Sequence, residues 1–322
     1  MYPSISLGSR RGLAQCAAPN GTFCIIALDH RQALIKALSR YGDKTVQEGI
    51  RFKKEVARAL SPYSTAFLMD PVLGAGPVVA DDTLSGDTGL LVSVEETSYA
   101  GPSHARVSRL PAGWGVDKIK RMGASAVKFL VYFNPESESA GPMKELTSLI
   151  AAECKRYDIA LFLEILTYDT SQEGPAWSSQ KRTDVILRSI EELTALGGDI
   201  LKVEFPANAS DNHRAWEDAC KCVSQASRKP WVLLSAGVDC DLFLEQTTVA
   251  CAAGASGILA GRSVWKEALS LDGGERISFL QAASTQRMQE LFGVCTASAR
   301  PYSDFFPSVT LGDDWPTSYP GF

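Results

Sequence analysis

The stretch Gly198-Asp199-Ile200-Leu201-Lys202-Val203-Glu204-Phe205-Pro206 places one lysine inside a short, apolar, β-branched run. Strands covered on both faces of a parallel sheet have sequences of this kind. A lysine in the middle of such a strand needs a polar cavity or an acidic partner, because an isolated buried charge is unfavourable. Two interpretations are open: the stem of Lys202 packs while its ammonium reaches water at the strand end, or Lys202 is a nucleophilic amine that lines a cavity.

Other apolar runs of similar length precede and follow this one, and amphipathic segments lie between them. Short strands that alternate with helices predict βα units around a parallel sheet. We count eight such runs, the number that a (β/α)8 TIM barrel needs. The predicted strands are residues 23–29, 66–70, 90–95, 126–133, 160–167, 200–205, 231–236 and 257–260. The predicted helices are residues 45–60, 117–122, 143–157, 183–196, 213–227, 242–253 and 275–292.

The domain organisation follows from the length and from the end of the chain. One α/β barrel can account for 322 residues and buries a large core, and no low-complexity linker divides the series of βα units. We therefore predict a single barrel domain over residues 1–295 and an extra C-terminal tail over residues 296–322. We expect the aromatic residues of this tail, which have no helical period, to dock on the barrel or on a neighbouring subunit; they are Tyr302, Phe305, Phe306, Trp315, Tyr319 and Phe322.

The composition argues against several classes of partner. A charged fraction of 21% and a net charge of −5 give no basic surplus for a nucleic-acid backbone. Of the eight cysteines, the closest pair, Cys220 and Cys222, lacks the two-residue spacer of zinc and redox motifs. No apolar segment follows the N-terminal charges, and no run reaches membrane-spanning length. We expect a soluble cytoplasmic protein with reduced thiols, no nucleic-acid or membrane partner, and assembly as a homo-oligomer.

Charged residues recur within or just after the predicted strands, mostly toward their C-terminal ends. Catalytic groups of α/β barrels come from the C-terminal ends of several strands. Stretches 97–113 and 169–180, rich in Gly, Pro and Ser, follow the third and fifth strands, where barrel enzymes place functional loops. The pattern predicts an active site at this end of the barrel, built from Asp29, Asp70, Glu95, Lys128, Glu164 and Lys202.

Two of these residues suggest how Lys202 is activated. Lys128, on the fourth predicted strand, would place a second cation near Lys202 and favour the neutral, nucleophilic amine. Glu164 comes from the strand between the two lysines and can shuttle protons, particularly if burial raises its pKa. For each residue a buried structural ion pair is the alternative interpretation.

The last two strands predict an anion site. The segments Leu234-Ser235-Ala236-Gly237-Val238 and Gly257-Ile258-Leu259-Ala260-Gly261-Arg262-Ser263 end in small residues whose backbone N–H groups can approach an anion. Arg262 adds a planar guanidinium that binds phosphate through two hydrogen bonds. Loops after the seventh and eighth strands are the usual phosphate site of such barrels.

Five segments, in matching order between about residues 20 and 292, resemble the Schiff-base aldolases grouped around tagatose 1,6-bisphosphate aldolase and sulfofructosephosphate aldolase. Family members more often read Asp-Gln-Arg where this chain has Asp29-His30-Arg31, and the aromatic tail has no counterpart in the family. The segments are Ala27-Leu28-Asp29-His30-Arg31-Gln32-Ala33-Leu34, Ala126-Val127-Lys128-Phe129-Leu130-Val131-Tyr132-Phe133, Asp199-Ile200-Leu201-Lys202-Val203-Glu204-Phe205-Pro206, Leu234-Ser235-Ala236-Gly237-Val238 and Gly261-Arg262-Ser263-Val264-Trp265-Lys266.

The resemblance implies an α/β barrel in which Lys202 forms the Schiff base and Glu164 shuttles protons. It implies that Asp29 and Lys128 are polar neighbours of these two, and that Arg31 is a candidate for binding an anionic group. It further implies that one anionic end of the substrate is held by Ser235, Gly237, Gly261 and Arg262. No cofactor is implied.

The expected reaction is cleavage of a ketohexose 1-phosphate with a second anion at C6, either tagatose 1,6-bisphosphate or 6-deoxy-6-sulfofructose 1-phosphate. The expected products are dihydroxyacetone phosphate and a three-carbon aldehyde. A metal-dependent aldolase is disfavoured, because His30, His104 and His213 are far apart and show no paired ligand spacing; we predict no metal site.

Two alternatives use the same barrel and phosphate loops. A sugar-phosphate isomerase or epimerase could use Glu164 as base and Lys128 as electrophile without a covalent intermediate. A non-catalytic sugar-phosphate sensor would need only the anion site, so the additional set of Lys202, Glu164 and Lys128 argues against it.

Overall fold

The computed structural model describes residues 5–39, 45–171, 177–308 and 310–319. Eight parallel strands form a closed barrel in sequence order, with the first strand paired to both the second and the eighth. The strands are β1 Phe23–Leu28, β2 Ala66–Met69, β3 Gly89–Ser93, β4 Ala126–Tyr132, β5 Ala160–Leu166, β6 Ile200–Val203, β7 Trp231–Leu234 and β8 Gly257–Ala260. The predicted (β/α)8 TIM barrel is confirmed, and each predicted strand is present.

Helices connect the strands and cover the outside of the barrel. In the clearest example Thr45 caps the helix that follows β1 and α2 by accepting the N–H of Glu48 at 3.4 Å, and Phe52, Val56 and Leu60 are buried along one face, as their helical spacing requires. The helices are α1 Leu7–Cys16, α2 Gln32–Leu38, α3 Val46–Leu60, α4 Gly76–Ala80, α5 Val116–Arg121, α6 Ala140–Arg156, α7 Ser179–Thr194, α8 His213–Ser227, α9 Cys240–Ala252, α10 Arg262–Trp265, α11 Gly273–Phe279, α12 Thr285–Ser298 and α13 Trp315–Ser318.

The predicted helix at residues 275–292 is divided in the structure. α11 and α12 are joined by one wide helical turn, Leu280–Ser284. Within that turn the hydroxyl of Ser284 donates to the carbonyl oxygen of Val264 at 2.9 Å. The turn therefore makes a side-chain hydrogen bond to α10.

Side chains alternate between the inside and the outside of the barrel. Phe23, Ile25, Phe162, Val232 and Leu259 belong to the apolar cluster that fills the interior. Because neighbouring positions on a strand point to opposite faces, the residue two places beyond an interior residue also points inward. Inward-pointing residues at the C-terminal ends of the strands therefore lie above a packed apolar layer inside the barrel. A second apolar core lies outside the barrel, between the strands and the helices.

The N-terminal end of the barrel is closed by both ends of the described chain. Tyr302 stacks on Phe23 with ring centroids 5.3 Å apart, and Phe305 and Phe306 are buried with it. α1 packs so closely that a Cβ at Gly12 would lie 2.0 Å from the carbonyl oxygen of Ser125. These tail aromatics dock on the barrel of their own chain.

The rest of the tail is more exposed. Trp315 and Tyr319 are among the exposed large apolar side chains, and the hydroxyl of Tyr319 donates to Asp158. Phe322, and residues 172–176 of the predicted loop at 169–180, lie outside the described residues. Within the described ranges no helix has the length and apolarity that crossing a bilayer would require.

Candidate active site

A cavity of about 470 Å³ lies at the C-terminal ends of the strands. Five of the six strand-end charges predicted to build the site line it: Asp29, Glu95, Lys128, Glu164 and Lys202. The cavity is also lined by every residue predicted to bind an anion: Arg31, Ser235, Gly237, Gly261 and Arg262. The barrel thus brings into one space residues that are up to about 230 positions apart in the chain.

Lys128 is the buried centre of the charged cluster. Its Nζ lies 2.8 Å from Asp29 Oδ2, 2.6 Å from Glu95 Oε1 and 2.8 Å from Glu164 Oε2. Burial disfavours its charge, but the three carboxylates outweigh burial and raise the pKa of Lys128 well above its ordinary value. Lys128 is therefore a fixed ammonium ion at neutral pH.

Lys202 has a different environment, although it belongs to the same cluster. Glu164 and Lys202 face each other across β5 and β6 as register partners, and Glu164 Oε1 lies 2.8 Å from Lys202 Nζ. Among the described residues Glu164 is the one carboxylate within ion-pair distance of Lys202. Glu164 thus bridges both lysines, while Lys202 has a single acidic partner where Lys128 has three.

The three carboxylates of the cluster differ in acidity. Burial would raise the pKa of Glu164, but Lys128 and Lys202 together outweigh burial and lower it. The same two lysines lower the pKa of Asp29 against its burial. Burial dominates at Glu95 and raises its pKa. Glu164 in the free protein is therefore an ionised carboxylate, and the raised pKa suggested by its apolar strand is found at Glu95 instead.

Asp70 is the strand-end charge that the cavity does not include. It forms a fully buried ion pair with Lys53 of α3. Its Oδ2 also accepts the N–H groups of Val72 and Leu73 at 2.9 and 2.8 Å. The prediction of Asp70 as an active-site residue is wrong, because its hydrogen-bonding capacity is used in capping the short helical turn Pro71–Ala75 and in a structural ion pair.

Arg262 and the ends of β7 and β8 form one polar wall of the cavity. The hydroxyl of Ser235 accepts the N–H of Gly261 at 3.1 Å, which joins the two strand ends. Gly237 has a φ of +81°, and a Cβ there would lie 3.2 Å from the guanidinium carbon of Arg262. Arg262 is exposed and has no carboxylate partner within the described part of the chain. Its charge is available to a ligand.

A second arginine lines the same cavity. Arg31 precedes α2, and its guanidinium donates to the backbone carbonyl oxygen of Glu95. This hydrogen bond connects the ends of β1 and β3 and holds the Arg31 side chain across the strand ends. The cavity therefore presents two guanidinium groups, supplied by different strand ends, to an anionic ligand.

Several polar residues that line the cavity were given no specific role by the sequence argument. Glu95 was recognised as a strand-end charge, but only the structure shows that it binds Lys128 and also accepts the N–H of Leu130 at 3.1 Å. His30 and Glu204 also line the cavity. Their positions within two residues of the ends of β1 and β6 were the available signal. Within the described ranges no group of three or more His, Cys, Asp or Glu side chains has the arrangement of a metal site.

Comparisons with known proteins identify the family of this chain. The sequence model of the DeoC/LacD family aldolases matches residues 23–267. Tagatose 1,6-diphosphate aldolase 1 of Enterococcus faecalis is 30% identical over 317 residues, which cover 92% of this chain and 97% of the relative. The corresponding protein of Streptococcus pyogenes serotype M1 is 29% identical over 321 residues, with 92% and 98% covered.

Solved structures show the same fold at lower identity. The fructose-bisphosphate aldolase of Plasmodium falciparum aligns with a TM-score of 0.70 at 12% identity, covering 93% of this chain and 98% of the other. A Schiff-base-forming fructose-1,6-bisphosphate aldolase aligns with a TM-score of 0.56 at 16% identity, covering 85% and 98%. With a family match that extends from β1 past β8, the chain belongs to the DeoC/LacD family of aldolases and is a lyase.

Proposed function

We propose that this protein is a class I aldolase that cleaves a ketohexose 1-phosphate bearing a second anion at C6, through an imine between the substrate ketone and Lys202. Tagatose 1,6-bisphosphate and 6-deoxy-6-sulfofructose 1-phosphate are the two candidate substrates. The observation that carries the proposal is the unequal pairing of the two buried lysines: three carboxylates surround Lys128, and one contacts Lys202.

This inequality supports Lys202 as the nucleophile. An amine must lose its proton before it can attack a carbonyl. Losing the Lys128 proton would leave three carboxylates facing one another around a neutral amine. The Lys202 proton has a nearby acceptor in Glu164, at 2.8 Å, and Lys128 remains to balance the acidic cluster.

Imine formation can proceed within the pair. The proton moves from Lys202 to Glu164, and the free electron pair of Nζ forms a bond to C2 while the carbonyl oxygen takes the π electrons. The alkoxide oxygen takes one proton from the attached Nζ, which gives the neutral carbinolamine. Glu164, now a carboxylic acid, supplies the second proton as this hydroxyl leaves as water, which gives the iminium ion and an ionised Glu164. Proton transfer by such a positioned carboxyl group contributes typically 10²- to 10⁴-fold to a rate.

Carbon–carbon cleavage follows from the same groups. Glu164, again a carboxylate, accepts the proton of the C4 hydroxyl. The electrons of the C3–C4 bond move into the iminium ion to form an enamine, and C4 leaves as the carbon of a three-carbon aldehyde. Protonation of the enamine at C3 and hydrolysis of the imine release dihydroxyacetone phosphate and restore Lys202.

The two arginines support a substrate with two anionic ends. Arg262, beside Ser235, Gly237 and Gly261, would hold one anion with its guanidinium. Arg31 would hold the other. Its contact with the Glu95 carbonyl leaves further N–H groups of the guanidinium for a ligand.

The test is reductive trapping. Borohydride added with dihydroxyacetone phosphate should inactivate the enzyme, and peptide mapping should place the secondary amine on Lys202. Borohydride alone is the control and should leave activity intact. Lys202→Arg should lose both cleavage and labelling, because a guanidinium stays protonated and cannot attack. Turnover of the two candidate substrates side by side would then distinguish phosphate from sulfonate at C6.

Each other outcome has a distinct meaning. An adduct on Lys128 would keep the chemistry and overturn the assignment of the two lysines. Interconversion of sugar phosphates without an adduct would indicate a non-covalent isomerase or epimerase. Binding without turnover would indicate a sensor, and cleavage that a chelator abolishes would overturn the Schiff-base mechanism.

A further inference from the structure

Glu204 is a carboxylate of the cavity that the proposed reaction does not use. It lies two positions after Lys202, directly beyond the end of β6, and lines the same cavity. Side chains two positions apart along a strand share a face, so Glu204 lies on the cavity side of Lys202. Its side chain is 13% exposed. A largely buried carboxylate needs partners, because an unpaired buried charge is unfavourable.

Three donors hold the Glu204 carboxylate. Its Oε2 accepts both the N–H and the hydroxyl of Thr167, each at 2.8 Å. Its Oε1 accepts from Nη2 of Arg182, on α7, at 3.2 Å. The Arg182 side chain also donates to the carbonyl oxygen of Phe205 from Nε and from Nη2, both at 3.4 Å. Glu204 therefore connects the ends of β5 and β6 with the helix between them.

The contact with Thr167 extends the connection between β5 and β6 beyond their backbone pairing. The register pairs of the two strands include Glu164 with Lys202 and end one residue later. Beyond that point the side chain of Glu204 binds the N–H of Thr167. This contact lies within three residues of both Glu164 and Lys202 along their strands. It therefore restrains the two strand ends whose charged atoms, Oε1 and Nζ, are 2.8 Å apart.

We propose that Glu204 is a positioning residue that sets the distance between Glu164 and Lys202 through its contacts with Thr167 and Arg182. The inference rests on the proposed function, in which a proton moves between Glu164 and Lys202. Proton transfer needs a donor and an acceptor within about 2.6–3.2 Å of each other, and a misplacement of about 1 Å can cost roughly 10²-fold in rate. Glu204 acts through this pair and exchanges no proton with the substrate.

The test measures kcat, KM and the rate of imine formation, the last as labelling of Lys202 by dihydroxyacetone phosphate with excess borohydride. Glu204→Ala removes all three contacts, and we expect kcat and the labelling rate to fall about 10- to 100-fold. KM should stay within about threefold of wild type, because the arginines that bind the anions are unchanged. Glu204→Gln keeps an oxygen that can accept from Thr167, so its losses should be smaller.

Glu136→Ala is the matched control. Glu136 also contacts α7, through Lys181 and Arg188, but it lies outside the cavity, and kcat should stay unchanged. Thr167→Val removes only the hydroxyl donor and should lower kcat at constant KM, which keeps the test available if Glu204→Ala does not fold. Because Thr167→Val and Glu204→Ala remove the same contact, the double variant should lose no more activity than Glu204→Ala alone.

Several results would overturn this role. A lower melting temperature with unchanged kcat of the folded fraction would assign Glu204 to stability alone, and a raised KM at constant kcat would assign it to substrate binding. Additive losses in the double variant would show that Glu204 does not act through Thr167. If wild type and Glu204→Ala form the Lys202 adduct at equal rates, only the role of Glu204 fails. If wild type forms no adduct, the proposed function fails, and the role of Glu204 fails with it.

Discussion

Glu164 and Lys202 are register partners on adjacent strands, and their charged atoms Oε1 and Nζ are 2.8 Å apart. A proton that moves from one to the other leaves the net charge of the pair unchanged. Such a transfer requires no ion to enter or leave a cavity in which both residues are largely buried. The second oxygen of Glu164 contacts Lys128, so an ammonium charge remains beside the carboxyl group throughout the transfer.

The first prediction concerns proton transfer. Glu164→Gln keeps the shape of the side chain but cannot carry a proton, so kcat should fall by roughly 10²-fold or more. The melting temperature should change little, because the amide keeps the shape of the side chain and its oxygen can still accept hydrogen bonds from the two lysines. The matched control is Glu136→Gln, which changes a carboxylate at 39% exposure that pairs with Lys181 and Arg188. A large loss of stability with normal activity of the folded fraction would indicate a structural ion pair.

The second prediction concerns the anion site. Arg262→Ala should raise KM roughly 10- to 100-fold, since hydrogen bonds to charged groups contribute about 1.5–3 kcal/mol. Arg262→Lys should restore only part of the affinity, because a point charge does not reproduce the planar fork. Steady-state kinetics provide the measurement. Arg214→Ala, at a side chain that is 77% exposed on α8, is the control; unchanged KM in Arg262→Ala would place the anion elsewhere.

The third prediction concerns stability at low pH. The folded-state pKa of Asp29 is lowered by the two lysines, whereas an unfolded aspartate titrates at about 3.9. Its contribution to stability is therefore present above that value and is lost as the pH falls toward the folded pKa. Urea unfolding from about pH 5 downward should show a shallower decline for Asp29→Asn than for wild type.

Glu95 is expected to have the opposite effect on the pH dependence of stability in that experiment. Its folded-state pKa is raised by burial, so its protonation favours the folded state as the pH falls. Glu95→Gln removes this compensation and should make the acid decline steeper. Identical slopes in wild type and both variants would show that the charged cluster does not couple folding to pH.

The fourth prediction concerns the closed end of the barrel. Tyr302→Ala should lower the free energy of unfolding by about 3–5 kcal/mol, the range for removing a large buried aromatic side chain, because the ring stacks on Phe23. Trp315→Ala should change it by less than about 0.5 kcal/mol, since that side chain is 40% exposed. Urea denaturation measures both. Equal effects would mean that the position of the tail in solution differs from the one described.

The strand pattern could be predicted from sequence because every strand lies in a short, largely apolar run, and amphipathic or polar segments separate these runs. α1 could not, since its buried face consists of Ser9, Gly12, Leu13 and Cys16. These positions have helical spacing, but half of them are too small or polar to register as an apolar stripe. Their small size is what lets the helix approach β4.

The limits of prediction at the site have a similar origin. Asp29 and Asp70 both follow buried strands, and nothing in their local sequence separates them. The difference lies in Lys53, which reaches Asp70 from α3, and in Lys128, which reaches Asp29 from β4. The acidity of Glu164 likewise depends on two lysines from neighbouring strands. Partners that the fold brings together over long sequence separations decide these roles.

The placement of Tyr302, Phe305 and Phe306 beneath the barrel constrains how the protein can fold during synthesis. These residues belong to the interior cluster that also contains Phe23 of β1. The packing around the first strand is therefore complete only when residues near the C-terminal end are in place. A nascent chain in which all eight strands have been synthesised still lacks the residues that close the N-terminal end of the barrel. Long-range closure of this kind slows folding and prolongs the exposure of apolar surface. Until Phe306 leaves the ribosome, the unfinished barrel has an open apolar base, and chaperones would be expected to bind there.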